Sequence, residues 1–204
     1  GLGLSELHFY DNYIPLVEEI DREYTYHEAI DLVRSALEPL GSGYLKKYDD
    51  TIKARVIDVF ESQNKRSGAF SWGSYASRGI VFLNHAGTFS DVSTFAHEIG
   101  HCLHRDYSIE NQPYIYYQNP VFLAEIASTL NEALLFDYMS KIAESKEEKK
   151  FFLYHNMKRI EATFYRQTMF ANFEKDIHEL AESGGILISK SIKDIYQKNL
   201  EAYL

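Results

Sequence analysis

The side chains best placed to do chemistry lie in one short segment, Phe95-Ala96-His97-Glu98-Ile99-Gly100-His101. On an α-helix, residues four apart lie about 40° apart in projection and one turn along the axis. His97 and His101 then point the same way and can offer two imidazole nitrogens to one Zn²⁺ ion. Glu98 sits beside that face, where its carboxylate can take a proton from water activated by the metal. The same five residues also read, without a metal, as two hydrogen-bonded histidines and an incidental carboxylate. A third ligand elsewhere in the chain separates the two readings, because a catalytic zinc needs three protein ligands and an open fourth position.

A lone acidic residue in an apolar helix is the feature to seek, since burying an unpaired carboxylate is costly. In Val121-Phe122-Leu123-Ala124-Glu125-Ile126-Ala127-Ser128-Thr129-Leu130 the only charge is Glu125, 28 residues after His97. A core carboxylate paired with Lys or Arg is the plainer alternative. Glu132 follows two helical turns later on the same face, suited to accept the second N–H of a ligand histidine. His104 competes as third ligand, but its Cα would stand about 10.5 Å along the axis from that of His97, which strains a shared tetrahedral ion. Cys102 is about 140° round the helix from His97 and reads as a small buried hydrophobe.

The elements that must carry these groups are mostly helical. Thr25 and Glu28 form a capping-box pattern ahead of Ala29, Ile30, Val33, Ala36 and Leu37, and Pro39 and Gly41 close that helix. A second amphipathic stretch runs over 45–60. Arg66 to Tyr75 has no helical period, and Gly79-Ile80-Val81-Phe82-Leu83 is β-branched and aromatic, so the two read as a small hairpin. Helical patterns follow at about 91–106, with Ser90 at its start, then at 120–144, 148–182 and 189–203. Asn119 is placed as N-cap with Pro120 in the first turn, and Gly184-Gly185 parts the last two helices. The mixed-charge run Glu144 to Lys150 reads as a solvated helix end or turn. The expectation is a mainly α fold of many helices with a small two- or three-strand β-element, forming one domain over residues 1–204.

Composition narrows the partners. With 21 Lys+Arg against 30 Asp+Glu the net charge is −9, which disfavours nucleic acid, since phosphate neutralisation needs a cationic face. No window reaches the roughly 20 apolar residues of a membrane helix, so no membrane partner is expected. The opening Gly1-Leu2-Gly3-Leu4-Ser5-Glu6 lacks the layout of a secretory signal, and a single cysteine fits a reducing compartment. Aromatics reach 15%, with 16 Tyr, enough to pack helices or to line a peptide groove.

Seven segments stand out together: Phe9-Tyr10-Asp11, Lys65-Arg66-Ser67-Gly68-Ala69-Phe70-Ser71, Leu83-Asn84, the stretch Asp91 to His101, Asn111-Gln112-Pro113-Tyr114, Ala124 to Glu132, and Arg166-Gln167-Thr168-Met169-Phe170-Ala171. In combination they resemble the oligoendopeptidase F branch of the thimet-oligopeptidase family of zinc metallopeptidases. The resemblance implies a zincin-type catalytic core from a cytoplasmic, clam-like metallo-endopeptidase that hydrolyses internal bonds of short peptides. It implies one Zn²⁺ per chain held by His97, His101 and Glu125, with Glu98 as general base. It further implies that Gly68, Ala69 and Phe70 lie along the substrate backbone, as an exposed strand edge can. Members of the family are much longer, and nothing after Glu125 resembles their later His and Tyr pair. The chain is therefore expected to be a catalytic-core fragment against which missing N- and C-terminal parts of the same enzyme pack. A zinc- or peptide-binding module without turnover, and a zinc amidase, are the competing readings.

Overall fold

The computed structural model describes residues 8, 11 and 13–203, so Phe9, Tyr10 and the opening Gly1 to Glu6 lie outside the described residues. The chain divides into two compact units, Gly1–Phe152 and Leu153–Leu204. In the first, helix α1 (Tyr26–Ala36) carries the expected capping box, with Thr25 accepting from the Glu28 amide and Glu28 reaching back to the Thr25 amide at 2.8 Å. Such a cap is worth about 1 kcal/mol. Helix α2 (Ser42–Lys53) starts and stops earlier than the 45–60 stretch. Its end coincides with Arg55 in the left-handed region at φ 54°, after which the chain enters strand β1 (Ile57–Asp58).

Strands β2 (Phe70–Trp72) and β3 (Ile80–Phe82) form the hairpin, and β1 adds a third strand in the order β1-β3-β2. β1 runs parallel to β3, and β2 pairs antiparallel to it with Ser71 opposite Val81. That register puts Phe70 and Phe82 on one face, their rings stacked at 4.7 Å, and turns Val81 into the core. β2 is left as an edge strand.

Helix α3 (Phe89–Asn111) is longer than 91–106, and Thr88 rather than Ser90 caps it, through a capping box with Asp91. Asp serves where Glu or Gln is usual because Oδ2 reaches the Thr88 amide at 2.9 Å. Val92, Phe95, Ala96, Ile99 and Leu103 recur at helical spacing and are all buried. They meet Ala29 and Val33 of α1, Tyr48 of α2, and Leu135, Phe136 and Met139 of helix α4 (Val121–Ile142) in one core. Full burial of each large apolar side chain is worth roughly 1.5–3 kcal/mol, so this face of α3 fixes the helix in place. α4 has Pro120 as its N-cap and no side-chain cap; Asn119 instead accepts from Ser108 Oγ at 3.0 Å. Helix α5 (Lys146–Ile160) begins within the charged run, as expected of a solvated helix start.

The second unit contains a π-helical segment, Glu161–Tyr165, then helix α6 (Arg166–Glu182) and helix α7 (Ser189–Tyr203). The helix expected over 148–182 is thus interrupted by a wider turn at 161–165. Gly184, at φ 84°, turns the chain between α6 and α7, and Asn199 donates to Asp176 at 3.0 Å across the pair. Among the described residues, no helix is long and apolar enough to cross a membrane.

Candidate metal centre

The site is built where α3 and α4 come together. At Gly100 an added Cβ would lie 2.6 Å from the Ser128 Cα and 2.9 Å from the Ala127 carbonyl oxygen, so α4 packs directly on the bare backbone of α3. Asn131, buried, fixes the register: Nδ2 donates to the Ala96 carbonyl at 3.1 Å, while Oδ1 accepts from the Tyr44 hydroxyl at 3.0 Å. Gly100→Ala should therefore lower the thermal midpoint, although Ala in an unconstrained helix would stabilise by about 1 kcal/mol. The overpacking cost of about 1–3 kcal/mol outweighs that gain. A raised midpoint in calorimetry would show that α4 yields without cost.

This packing brings His97, His101 and Glu125 together, and among the described residues these are the His, Cys, Asp or Glu side chains grouped closely enough to share an ion. The two Nε2 atoms are 3.0 Å apart, and Glu125 Oε2 lies 3.3 Å from His97 Nε2 and 3.4 Å from His101 Nε2. Ligands of a tetrahedral zinc at about 2.0–2.1 Å are themselves about 3.3–3.4 Å apart, so the triangle matches that ion. The arrangement of the donors also suits a cation. His97 Nδ1 faces Glu132 Oε1 at 3.5 Å, so this ring is engaged through its far nitrogen and its Nε2 is turned to the triangle. Two imidazole nitrogens and a carboxylate oxygen converge, an arrangement that is stable only with a proton or a metal among them. Ser128 Oγ donates to Glu125 Oε2 at 2.7 Å and holds that oxygen in the triangle.

Charge at the site follows from burial and from the three carboxylates. Burial disfavours the imidazolium of His97, but the Glu132 hydrogen bond, with Glu98 and Glu125 nearby, outweighs it and raises its pKa. For His101, burial and the neighbouring His97 lower it. Burial pushes Glu98 above the usual carboxylate range, helped by Glu125 and Glu132 and opposed by His97 and the Ser71 amide. Glu98 is buried and its Oε2 has no hydrogen-bond partner. An unpaired carboxylate oxygen on the residue next to His97 is suited to accept a proton from metal-activated water.

The remaining expectations fall as follows. Glu132 stands against the back of His97, with Ser93 Oγ 3.5 Å from its Oε1. Glu132→Gln is expected to weaken zinc affinity about 10–100-fold, measured by competition with a chromophoric chelator. Unchanged affinity would remove that role. His104 is outside the donor group, and burial lowers its pKa. Cys102 is buried and its thiol is pushed up to about 11 by burial, so it behaves as a hydrophobe. Phe70 begins β2, whereas Gly68 and Ala69 precede it as a turn and approach. Glu125 is not the buried carboxylate expected: its side chain is 62% exposed. Its apolar neighbours face solvent too, with Val121 92% and Phe122 90% exposed, so the apolar run marks an uncovered helix face rather than a core.

Comparison with known proteins decides the family. The profile of peptidase family M3 matches residues 2–204. The chain belongs to peptidase family M3. Oligopeptidase PepF of Bacillus subtilis is 37% identical over 195 residues, which are 96% of this chain and 29% of that protein. The chromosomal oligoendopeptidase F of Lactococcus lactis subsp. cremoris is 38% identical over 202 residues, 99% of this chain and 33% of its own. The crystal structure of a Chlamydophila abortus protein assigned as a peptidase has a TM-score of 0.84 at 44% identity, covering 98% of this chain and 33% of that one. The chain thus spans about a third of the length of the relatives it matches. Its helical fold with a small three-stranded sheet is shared with this Chlamydophila abortus structure.

Within this M3 chain, several residues that shape the site gave little sign of themselves in the sequence. Gly100 reads as a helix-weakening residue until α4 is laid across it. Asn131 and Ser128 are short polar side chains in an apolar helix, and their work shows in the hydrogen bonds to Ala96, Tyr44 and Glu125 that the fold assembles. Thr88, three residues before Asp91, was the one with a legible signal, an N-cap pattern two residues earlier than Ser90.

Proposed function

We propose that this chain is the catalytic core of a cytoplasmic zinc metallo-endopeptidase that hydrolyses internal bonds of short peptides. The observation that carries the reading is the triangle of His97 Nε2, His101 Nε2 and Glu125 Oε2 beside the unpartnered Glu98 Oε2, in a chain of an M3 peptidase family. Bound zinc would supply Lewis acidity toward a scissile carbonyl and toward water. His97 and His101 offer neutral nitrogens to it, and Glu132 holds His97 in orientation. Glu98 accepts the water proton on Oε2 and returns it to the leaving amine. Gly68, Ala69 and Phe70 lead into and open the edge strand β2, where an extended peptide can add as a further strand.

The uncovered apolar face of α4, with Val121, Phe122 and Ile126 exposed, suits packing by the remainder of the longer enzyme. The test is made on that complete enzyme: elemental analysis for one zinc per chain, then mass-spectrometric mapping of cleavage in short peptides. Internal cleavage abolished by chelation and restored by zinc is expected. Release of a terminal or side-chain amide alone would favour the amidase reading. Zinc with no cleavage would favour a binding module.

A further inference from the structure

β3 ends at Phe82, but its backbone goes on pairing toward β1, with Leu83 N–H donating to the Asp58 carbonyl at 2.8 Å and His85 N–H to the Val59 carbonyl at 2.9 Å. On its other side the pairing with β2 stops at Phe70. There the side chain of Asn84 replaces the ladder: Nδ2 donates to the Arg66 carbonyl at 2.9 Å and to the Gly68 carbonyl at 2.8 Å. Two carbonyl acceptors admit only the NH₂ end of the amide, which fixes its orientation.

The segment held in this way is unusual. Gly68 has φ 91°, a left-handed conformation that side chains rarely adopt, although a Cβ there would meet open space. Glycine is therefore present for the backbone angle and not for room. Upstream, the Lys65 ammonium is gathered by the Phe60 carbonyl at 2.6 Å and Asp58 Oδ1 at 3.0 Å, above the Phe82 ring. The approach to β2 is thus tethered at both ends. Beside it lies a cavity of about 280 Å³ bordered by Gly68, Ala69, Asn84, Asp91 and Thr94. Thr94 is one helical turn before Glu98, so the cavity opens about 6 Å along α3 from the proposed base.

We propose that Asn84 is a positioning residue for peptide binding, its amide holding the Arg66 and Gly68 carbonyls so that the Gly68-Ala69 edge keeps the shape that receives a substrate backbone. This rests on the peptidase reading above. Without the two donated hydrogen bonds, Gly68 is free to leave its left-handed conformation, and each productive binding event must first restore it.

The test compares Asn84→Ala, Asn84→Asp and Asn84→Ser with wild type in the complete enzyme, using an internally quenched peptide. Loss of two hydrogen bonds predicts KM raised about tenfold in Asn84→Ala, with kcat within about twofold and zinc content unchanged. Asn84→Asp has the same size but cannot donate, and it sets a negative charge against two carbonyls. It is expected to be at least as impaired as Asn84→Ala, with Asn84→Ser, which keeps one donor at shorter reach, in between. Wild-type KM in Asn84→Asp, or a fall in kcat at unchanged KM, would overturn the role and leave the peptidase reading standing. A wild-type enzyme that binds no zinc or cleaves no peptide overturns both.

Discussion

Glu98→Gln is expected to lower kcat of the complete enzyme by about 10²–10⁴-fold, the usual contribution of a general base, with zinc content unchanged. The amide keeps the shape of the carboxylate, so the packing of α3 against the sheet is preserved. It cannot accept the proton of water, and that single property is what the burial of Glu98 beside the metal donors provides. A second readout comes from stability. Burial raises the folded-state pKa of Glu98, so the folded chain holds its proton to higher pH than the unfolded chain does. In the metal-free protein this makes stability fall as pH rises from the ordinary Glu range through the raised value. Glu98→Gln removes that loss, and its thermal midpoint at neutral pH should lie above that of wild type. An inactive protein with a higher midpoint and full zinc marks a residue kept for chemistry. Unchanged turnover would remove Glu98 from the mechanism.

The difference between what could and could not be read from the sequence lies in where each signal resides. His97 and His101 were legible because helix geometry alone sets their relation, and α3 was legible because Val92, Phe95, Ala96, Ile99 and Leu103 repeat at helical spacing. Glu125 stood out as a lone charge, and the structure does bring it to the histidines, but its exposure was misjudged. An apolar run signals that a helix face wants cover and does not say whether this chain provides it. β1 was missed because two residues carry no period, and its parallel pairing with β3 is a long-range event. Gly100 and Asn131 were illegible for a related reason: each acts on the neighbouring helix, and nothing local distinguishes a glycine under another helix from one facing water.

Glu125→Ala is expected to cost zinc affinity more than the 10–100-fold predicted for Glu132→Gln, since it removes a donor rather than the group that orients one. Two imidazoles would remain 3.0 Å apart with only water to complete the ion's shell. The Ser128 hydroxyl, now donating to Glu125 Oε2, would turn to the residue-125 carbonyl that it already contacts at 3.0 Å, so the helix itself should stand. Affinity in wild type should also fall with acid, because zinc must displace the proton that Glu132 helps His97 to hold, and His97 has a raised pKa. Loss of the Glu125 carboxylate weakens that hold, so the acid limb of zinc binding should move to lower pH in the variant while its plateau drops. Full zinc in Glu125→Ala would mean that another side chain has taken the third position. His104 is the one residue of the right type on the same helix face, and the double variant Glu125→Ala/His104→Ala decides it. If zinc is lost only in the double variant, the ligand set is three histidines of α3, and the convergence of α4 on the site serves packing alone. If the single variant already empties the site, the approach of the two helices at Gly100 is what makes the metal centre.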